Sequence, residues 1–219
     1  MVKTVVNNFV DLLPYPIQNS LKAYRNRSRR GSVIREWEAR GKPLPPPHQV
    51  KQMAIEYYKS LYGFDILIET GTYLGNMILA QKDNFSRIYS IELGEQLWKN
   101  AVNRFKDYGH ITIMHGDSGK VLNTITGPLD KPAIFWLDGH YSGGITAKGE
   151  KACPILAEVD AIMGHQKLNH VLLVDDARCF NGKGTYPTIE ELTSYIQNKN
   201  PGYVLENKDD ILRFTVPKE

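Results

Sequence analysis

Residues 66–75 read ILIETGTYLG, and residues 88–93 read IYSIEL about one strand later. In the first stretch, an apolar run stops at Glu69 and opens into a turn that contains two glycines. In the second, an apolar run stops at Glu92. In a parallel α/β sheet such strand ends lie side by side at the carboxyl edge, where open sheets bind their ligands. The two stretches therefore predict both a sheet and the position of a site on it.

The glycines and acids of the first turn indicate the kind of ligand. A dinucleotide site needs a glycine-rich turn that points backbone N–H groups at a pyrophosphate. This turn has only Gly71 and Gly75, and Glu69 leads into it. A carboxylate there disfavours a phosphate and suits a cationic ligand that carries a ribose. S-adenosylmethionine (SAM) is such a ligand, since it combines a sulfonium, an amino-acid end and an adenosine.

Length, net charge and cysteine content narrow the kinds of protein that this chain can be. A chain of 219 residues buries one good core, and its net charge of +3 is too weak to argue for nucleic-acid binding by itself. Two cysteines, Cys153 and Cys179, make no disulfide framework and indicate free thiols in a reducing compartment. No apolar run is long enough to span a bilayer. We therefore expect a cytoplasmic protein without a transmembrane segment.

Residues 1–47 differ from the rest and predict an N-terminal extension to a domain at 48–219. The extension holds a basic stretch, Lys22–Arg40, followed by GKPLPPPH, which fits neither a helix nor a central strand. The usual meaning of such a charge run is a solvated helix face or arm, while weak contact with an anionic surface such as RNA or lipid headgroups is the alternative. Homodimer formation through this extension is a further open possibility.

The pattern beyond residue 48 predicts a doubly wound, mostly parallel sheet. Apolar runs predict strands at 65–69, 88–92, 110–115, 133–137, 171–174, 203–206 and 211–216. Helical spacing predicts helices at 50–61, 76–82, 97–105, 155–163 and 189–196, the last with a capping box of Thr188 and Glu191. Alternating strands and helices indicate parallel pairing, and the last two runs predict a terminal hairpin that adds an antiparallel strand.

Five motifs occur in an order that resembles the class I SAM-dependent methyltransferases: ETGTYLG, YSIEL, HGDS, FWLDGHYSGG and VLLVDDAR. The resemblance covers residues 49–216 and implies a Rossmann-like, seven-stranded sheet whose last strand is antiparallel. It also implies that Glu92 accepts both ribose hydroxyls, because a carboxylate offers two oxygens to a vicinal diol. The residues that it implies for SAM binding are Glu69, Gly71, Thr72, Gly75, Glu92, Leu93, Asp117, Ser118 and Asp138.

A second constellation consists of Asp138, Asp175 and Asp176, which all come after apolar strands. Three carboxylates at one sheet edge repel one another unless their pKa values rise, basic residues such as Arg178 pair with them, or a cation lies between them. Oxygen ligands favour Mg²⁺, Mn²⁺ or Ca²⁺ over Zn²⁺. The arrangement resembles the metal-dependent O-methyltransferases of the catechol and macrocin types, which implies that these three residues hold a divalent ion.

The resemblance implies catalysis by Asp138 together with a general base. His140 is the first candidate for the base because it lies two residues beyond Asp138 and titrates near neutral pH. Tyr141 is the second, since it lies nearer the position of a lysine in the catechol-type family, and that lysine is absent from this turn.

The predicted function is metal-assisted transfer of a methyl group from SAM to a hydroxyl of a sugar or another small polar acceptor. Two alternatives stay open. One is another nucleoside-using transferase of the same fold, such as an aminopropyltransferase. The other is a non-catalytic module that binds nucleic acid or membrane through the basic N-terminal arm.

Overall fold

The computed structural model describes residues 13–139, 153–165 and 168–218 and contains the predicted seven-stranded sheet. The strands are β1 (Ile66–Thr70), β2 (Arg87–Glu92), β3 (Ile111–His115), β4 (Ile134–Leu137), β5 (Val171–Val174), β6 (Val204–Lys208) and β7 (Ile211–Thr215). Their order is β3-β2-β1-β4-β5-β7-β6. β1 to β5 are parallel, and β7 runs antiparallel between β5 and β6. The predicted fold class, including the C-terminal hairpin, is confirmed.

Helices cover both faces of the sheet: α1 (Tyr15–Ala39), α2 (His48–Tyr62), α3 (Asn76–Gln81), α4 (Glu95–Phe105), α5 (Ser118–Thr126), α6 (Ile155–Met163) and α7 (Ile189–Lys199). The predicted capping box begins α7: Glu191 N donates to Thr188 Oγ1 at 3.1 Å, and Thr188 N donates to Glu191 Oε2 at 2.7 Å. The sequence pattern missed α5, because its glycine and threonines are poor helix formers. Its start is marked by Asp117, whose side chain accepts from Gly119 N.

The core has two layers, one on each face of the sheet. α2, α3 and α4 pack on one face, against side chains such as Leu67 of β1 and Ile134 of β4. α5, α6 and α7 pack on the other, against Ile68 and Phe135. These four strand residues are fully buried. Strands buried on both faces explain why the sequence shows continuous apolar runs where a one-sided sheet would alternate.

The basic N-terminal stretch forms α1, which packs on α2 and α4. Arg30 makes a bidentate ion pair with Glu56 of α2, with N···O distances of 3.0 and 2.7 Å. Asn19 is fully buried, donates to the carbonyl of Arg104 in α4 at 3.2 Å and accepts from its Nε at 2.9 Å. α1 is polar, and none of the helices that the structure describes has the length and apolar character needed to cross a membrane.

Candidate active site at the carboxyl edge of the sheet

The turn after β1 lies between the ends of β2 and β4. Gly71 N donates to Ile91 O of β2 at 2.9 Å, and Asp138 N donates to Thr70 O at 3.2 Å on the other side. Glu92, which follows Ile91, and Asp138 are thereby brought to either side of one turn. This is the juxtaposition that parallel pairing predicts for residues at strand ends.

The N–H groups of this turn are largely used within the protein. Gly71 N and Thr72 N both donate to Ile91 O, at 2.9 and 3.2 Å, and Gly75 N donates to Thr72 O at 2.8 Å. Tyr73 N donates to Glu92 Oε2 at 2.7 Å. A pyrophosphate cradle needs such N–H groups to point at the ligand. The turn is therefore built for a ligand without phosphate, as its sequence indicates.

Glu92 presents a fixed carboxylate at the end of β2. Its Oε2 accepts from Tyr73 N, and its Oε1 accepts from Gly94 N at 2.8 Å. Only 5% of the residue is exposed, and no basic side chain among the described residues forms an ion pair with it. Since a carboxylate has about four lone-pair sites, each oxygen keeps capacity for a further donor. The group fits a vicinal diol that approaches from the sheet edge.

Glu69 lies deeper, in a buried polar cluster below the turn. Ser90 Oγ donates to Glu69 Oε2 at 2.5 Å and lies 2.6 Å from Thr72 Oγ1. Burial raises the pKa of Glu69 to about 8; the hydrogen bond from Ser90 opposes this rise, and the charge of Glu92 adds to it. Near neutral pH, Glu69 is therefore largely protonated, and a nearby cation would favour its ionised form.

We expect Glu69→Gln to change how stability depends on pH. The pKa of Glu69 is raised in the folded protein, so between roughly pH 5 and pH 8 the folded state holds a proton that the unfolded chain has released. The free energy of unfolding should thus fall as pH rises through this window, by at most about 1.4 kcal/mol per pH unit. Glutamine mimics the neutral acid and should remove that fall.

Urea unfolding at several pH values across this window, on the wild type and Glu69→Gln, measures the effect. Glu95→Gln is the control, since Glu95 is fully exposed and pairs with Lys99. A stability difference between wild type and Glu69→Gln that does not vary with pH would contradict the expectation.

Asp117 and Ser118 stand at the end of β3, where α5 begins. Asp117 caps α5 by accepting from Gly119 N at 3.0 Å. The Ser118 hydroxyl donates to Glu158 Oε1 at 2.6 Å, and Glu158 is 2% exposed. A Cβ on Gly139 would lie 2.8 Å from that same Glu158 oxygen, so this carboxyl group reaches the turn after β4. The sequence pattern gave no sign of Glu158, since it lies inside α6.

The structure brings the three predicted acids together. Asp138, Asp175 and Asp176 each offer one carboxylate oxygen, and these oxygens lie within 4.8 Å of one another. Asp175 is fully buried, and its Oδ1 accepts from Asp176 N at 2.9 Å. Carboxylates of this number and spacing suit a hard divalent ion by donor type. The residues present therefore fit such an ion.

Two basic side chains also reach these acids. Lys51 of α2 contacts Asp175 Oδ2 and lies 3.4 Å from Asp176 Oδ1. Arg178 Nη1 lies 2.8 Å from Asp176 Oδ1 and also pairs with Asp210. Burial lowers the pKa of Lys51, but the charges of Asp175 and Asp176 outweigh burial and raise it, so its ammonium stays charged. Pairing of these acids with Arg178 is one of the possibilities that the sequence predicts. Nothing in the sequence pattern indicates that Lys51 reaches them.

The predicted site residues thus form two neighbouring groups on either side of β1. Glu69, Thr72 and Glu92 lie on the β2 side, and the three aspartates lie beyond β4. Leu93 follows Glu92, and its carbonyl lies 3.1 Å from His115 Nε2. His140 and Tyr141, the candidate bases, lie outside the described residues.

Comparison with solved structures supports the fold. The chain is similar to an O-methyltransferase from Bacillus cereus in complex with SAH, with 13% identity, a TM-score of 0.56 and coverage of 91% of this chain and 97% of that one. It is also similar to the O-methyltransferase TomG from Streptomyces achromogenes, involved in tomaymycin synthesis and solved with SAM (13% identity, TM-score 0.54, coverage 91% and 96%). A third is the N-methyltransferase NodS from Bradyrhizobium japonicum WM9 (13%, 0.52, 78% and 97%).

Sequence comparison adds nothing to these similarities, because no protein-family profile and no curated protein sequence matches the chain. At 12–14% identity, the structural matches show that the chain has the Rossmann-like methyltransferase fold. One fold hosts many functions, so these matches assign no activity to the chain.

Proposed function

We propose that this protein transfers a methyl group from SAM to an oxygen of a small polar acceptor. The observation that carries the proposal is the carboxylate of Glu92, which is buried at the end of β2 and accepts hydrogen bonds from two backbone N–H groups. It lies beside a turn whose own N–H groups mostly donate within the protein. This combination selects a ribose and discriminates against a pyrophosphate. The proposal keeps the division into an extension at 1–47 and a catalytic domain at 48–219.

The proposed SAM site uses both sides of the β1 turn. Glu92 binds the ribose hydroxyls, and the Asp117–Ser118 segment lies at the adenine edge. Glu69 and Thr72 lie towards the methionine end, where ionised Glu69 would attract the ligand's positive charge. SAM, when bound, supplies the electrophilic methyl group. The chain's residues hold it in one orientation, so that the acceptor meets the methyl carbon in line.

Asp138, Asp175 and Asp176 form the proposed acceptor side. A Mg²⁺, Mn²⁺ or Ca²⁺ ion held by these carboxylates would supply positive charge that lowers the pKa of an acceptor hydroxyl. His140, or else Tyr141, is the proposed base that takes the hydroxyl proton. A sugar or other small polyol is the proposed acceptor class, by analogy with the macrocin-type enzymes. Two of the similar structures are described as O-methyltransferases, which favours oxygen, although NodS is an N-methyltransferase.

Calorimetric titration of SAM into the protein, with and without Mg²⁺, tests the proposal. We expect one SAM per chain, followed by transfer of a radiolabelled methyl group in a screen of sugars and polyols. If SAM does not bind, the methyltransferase proposal fails. Binding of decarboxylated SAM and a polyamine, with aminopropyl transfer and no methyl transfer, would instead establish the aminopropyltransferase alternative.

One surface favours a second role, contact with an anionic partner. α1 carries six basic and two acidic residues, a net charge of +4 that exceeds the +3 of the whole chain. Arg25, Arg27 and Arg29 are exposed on it. α1 and α2 also line a cavity of about 670 Å³ whose wall includes Arg27 and the Arg30–Glu56 ion pair. If SAM fails to bind, salt-sensitive retention on RNA or anionic vesicles through this helix becomes the leading function.

A further inference from the structure

Lys51 joins the acid cluster from a distant part of the chain. It lies in the first turn of α2, 124 positions before Asp175, and its side chain is 16% exposed. Its Nζ contacts Asp175 Oδ2 and lies 3.4 Å from Asp176 Oδ1. Two of the three carboxylates that suit a divalent ion are therefore already bound to a cation of the protein itself.

Burial makes an unpaired charge on Asp175 costly. Asp175 is fully buried, and an ionised carboxylate without a partner is strongly unfavourable away from water. The hydrogen bond from Asp176 N satisfies one oxygen but brings no charge. Arg178 is directed to Asp176 and Asp210. Lys51 Nζ is thus the positive group that contacts the Asp175 carboxyl group.

We propose that the ammonium group of Lys51 is a built-in cation that occupies the three-carboxylate site, and that a divalent ion binds only by displacing it. The inference rests on the proposed function in taking Asp138, Asp175 and Asp176 as the ion site. A divalent ion would need the oxygens that Lys51 now contacts, and two cations at such short separation repel each other strongly. The two occupants therefore exclude one another.

The fold allows this exchange without moving α2. The helix is fixed by Val50, Ala54 and Ile55, which are buried. The ammonium group of Lys51, in contrast, lies at the end of a flexible four-carbon stem that already reaches solvent. The side chain can swing out while the helix stays packed. The site then keeps a balanced charge with or without the ion, and displacement of Lys51 weakens ion binding.

Titration with Mn²⁺, followed by calorimetry and by the electron paramagnetic resonance signal of free Mn²⁺, tests the competition. Lys51→Met should bind Mn²⁺ about tenfold more tightly than the wild type, a ratio typical of coupling between two ligands. Lys59→Met is the matched control on the same helix: Lys59 lies 4.0 Å from Asp65, away from the acids, and its removal should leave Mn²⁺ affinity unchanged. Asp175→Asn should abolish the binding gained in Lys51→Met.

A second measurement uses the wild type alone and covers the case in which Lys51→Met folds poorly. Acylation of individual lysines, read by mass spectrometry, should show that saturating Mn²⁺ exposes Lys51 and leaves Lys59 unchanged. The proposal is overturned if Lys51→Met binds Mn²⁺ no more tightly than the wild type, if neither protein binds it, or if Lys51 reactivity does not respond to the ion. SAM titration distinguishes failure of this proposal from failure of the proposed function. If SAM binds but Lys51 and Mn²⁺ do not compete, only the proposal about Lys51 is wrong.

Discussion

Glu92→Ala should reduce the affinity for SAM by about 100-fold or more, because it removes two hydrogen bonds to a charged acceptor, each worth about 1.5–3 kcal/mol. The Glu92 carboxylate also fixes the turn, since its oxygens accept from Tyr73 N and Gly94 N. Loss of the ribose hydrogen bonds and loss of these turn contacts both lower the affinity for SAM. Calorimetric titration with SAM, and with adenosine as a ligand that keeps the ribose and adenine but lacks the methionine end, measures the effect, and adenosine should lose affinity in parallel.

Two further variants test whether the loss of affinity is specific to the Glu92 carboxylate. Glu95→Ala removes a nearby carboxylate that is fully exposed and pairs with Lys99, so SAM affinity should stay at the wild-type level. Glu92→Gln keeps the size of the side chain but turns an NH₂ group towards a backbone N–H, so it should also bind poorly. If Glu92→Ala remains folded and binds SAM as tightly as the wild type, Glu92 is not the ribose ligand.

Gly71→Ala should destabilise the protein by about 3 kcal/mol or more, the largest effect on stability that we expect from a single methyl group. Gly71 has a φ of +82°, which L side chains rarely adopt, and a Cβ there would overlap the backbone carbonyl of Asp138. That carbonyl belongs to the turn after β4. The overlap would therefore push apart the turns after β1 and β4, which lie at the candidate site. Urea unfolding gives the loss of stability, and SAM affinity should fall with it.

Gly63→Ala is the matched control for backbone conformation. Gly63 ends α2 with a φ of +72°, but a Cβ there meets nothing within 4 Å. Its replacement should cost only the roughly 1–2 kcal/mol of the left-handed conformation. Equal losses in the two variants would show that the close approach of Gly71 to Asp138 contributes nothing.

Most of the fold could be predicted from local patterns. The seven strands lie within two residues of the predicted runs, and the Thr188–Glu191 capping box begins α7 as expected. Apolar runs and caps are set by neighbours in sequence, so they can be recognised without the rest of the chain. One exception is α5, whose glycine and threonines hide a helix that is held by packing of Leu122 and Ile125. The other is α1, where the basic stretch indicated only a solvated helix face or arm.

The candidate site could be predicted in part. Acids that follow strands were expected to meet at one edge, and Asp138, Asp175 and Asp176 do meet there. Pairing by Arg178 could also be predicted, whereas two other residues of the site could not be found in this way. Lys51 lies inside a helix whose pattern indicates only packing, and Glu158 lies inside α6. A charged residue on a helix shows no sign in sequence of which distant group it will face.

The sequence by itself determined the positions of the seven strands and of most helices along the chain, and the acids that end the strands, since both follow from residue type and spacing. Tertiary structure alone decided how those acids behave. Burial raises the pKa of Glu69 to about 8, and the packing of α2 against the sheet brings Lys51 to Asp175. Desolvation and charge pairing depend on groups that lie far apart in sequence, so they exist only once the chain has folded.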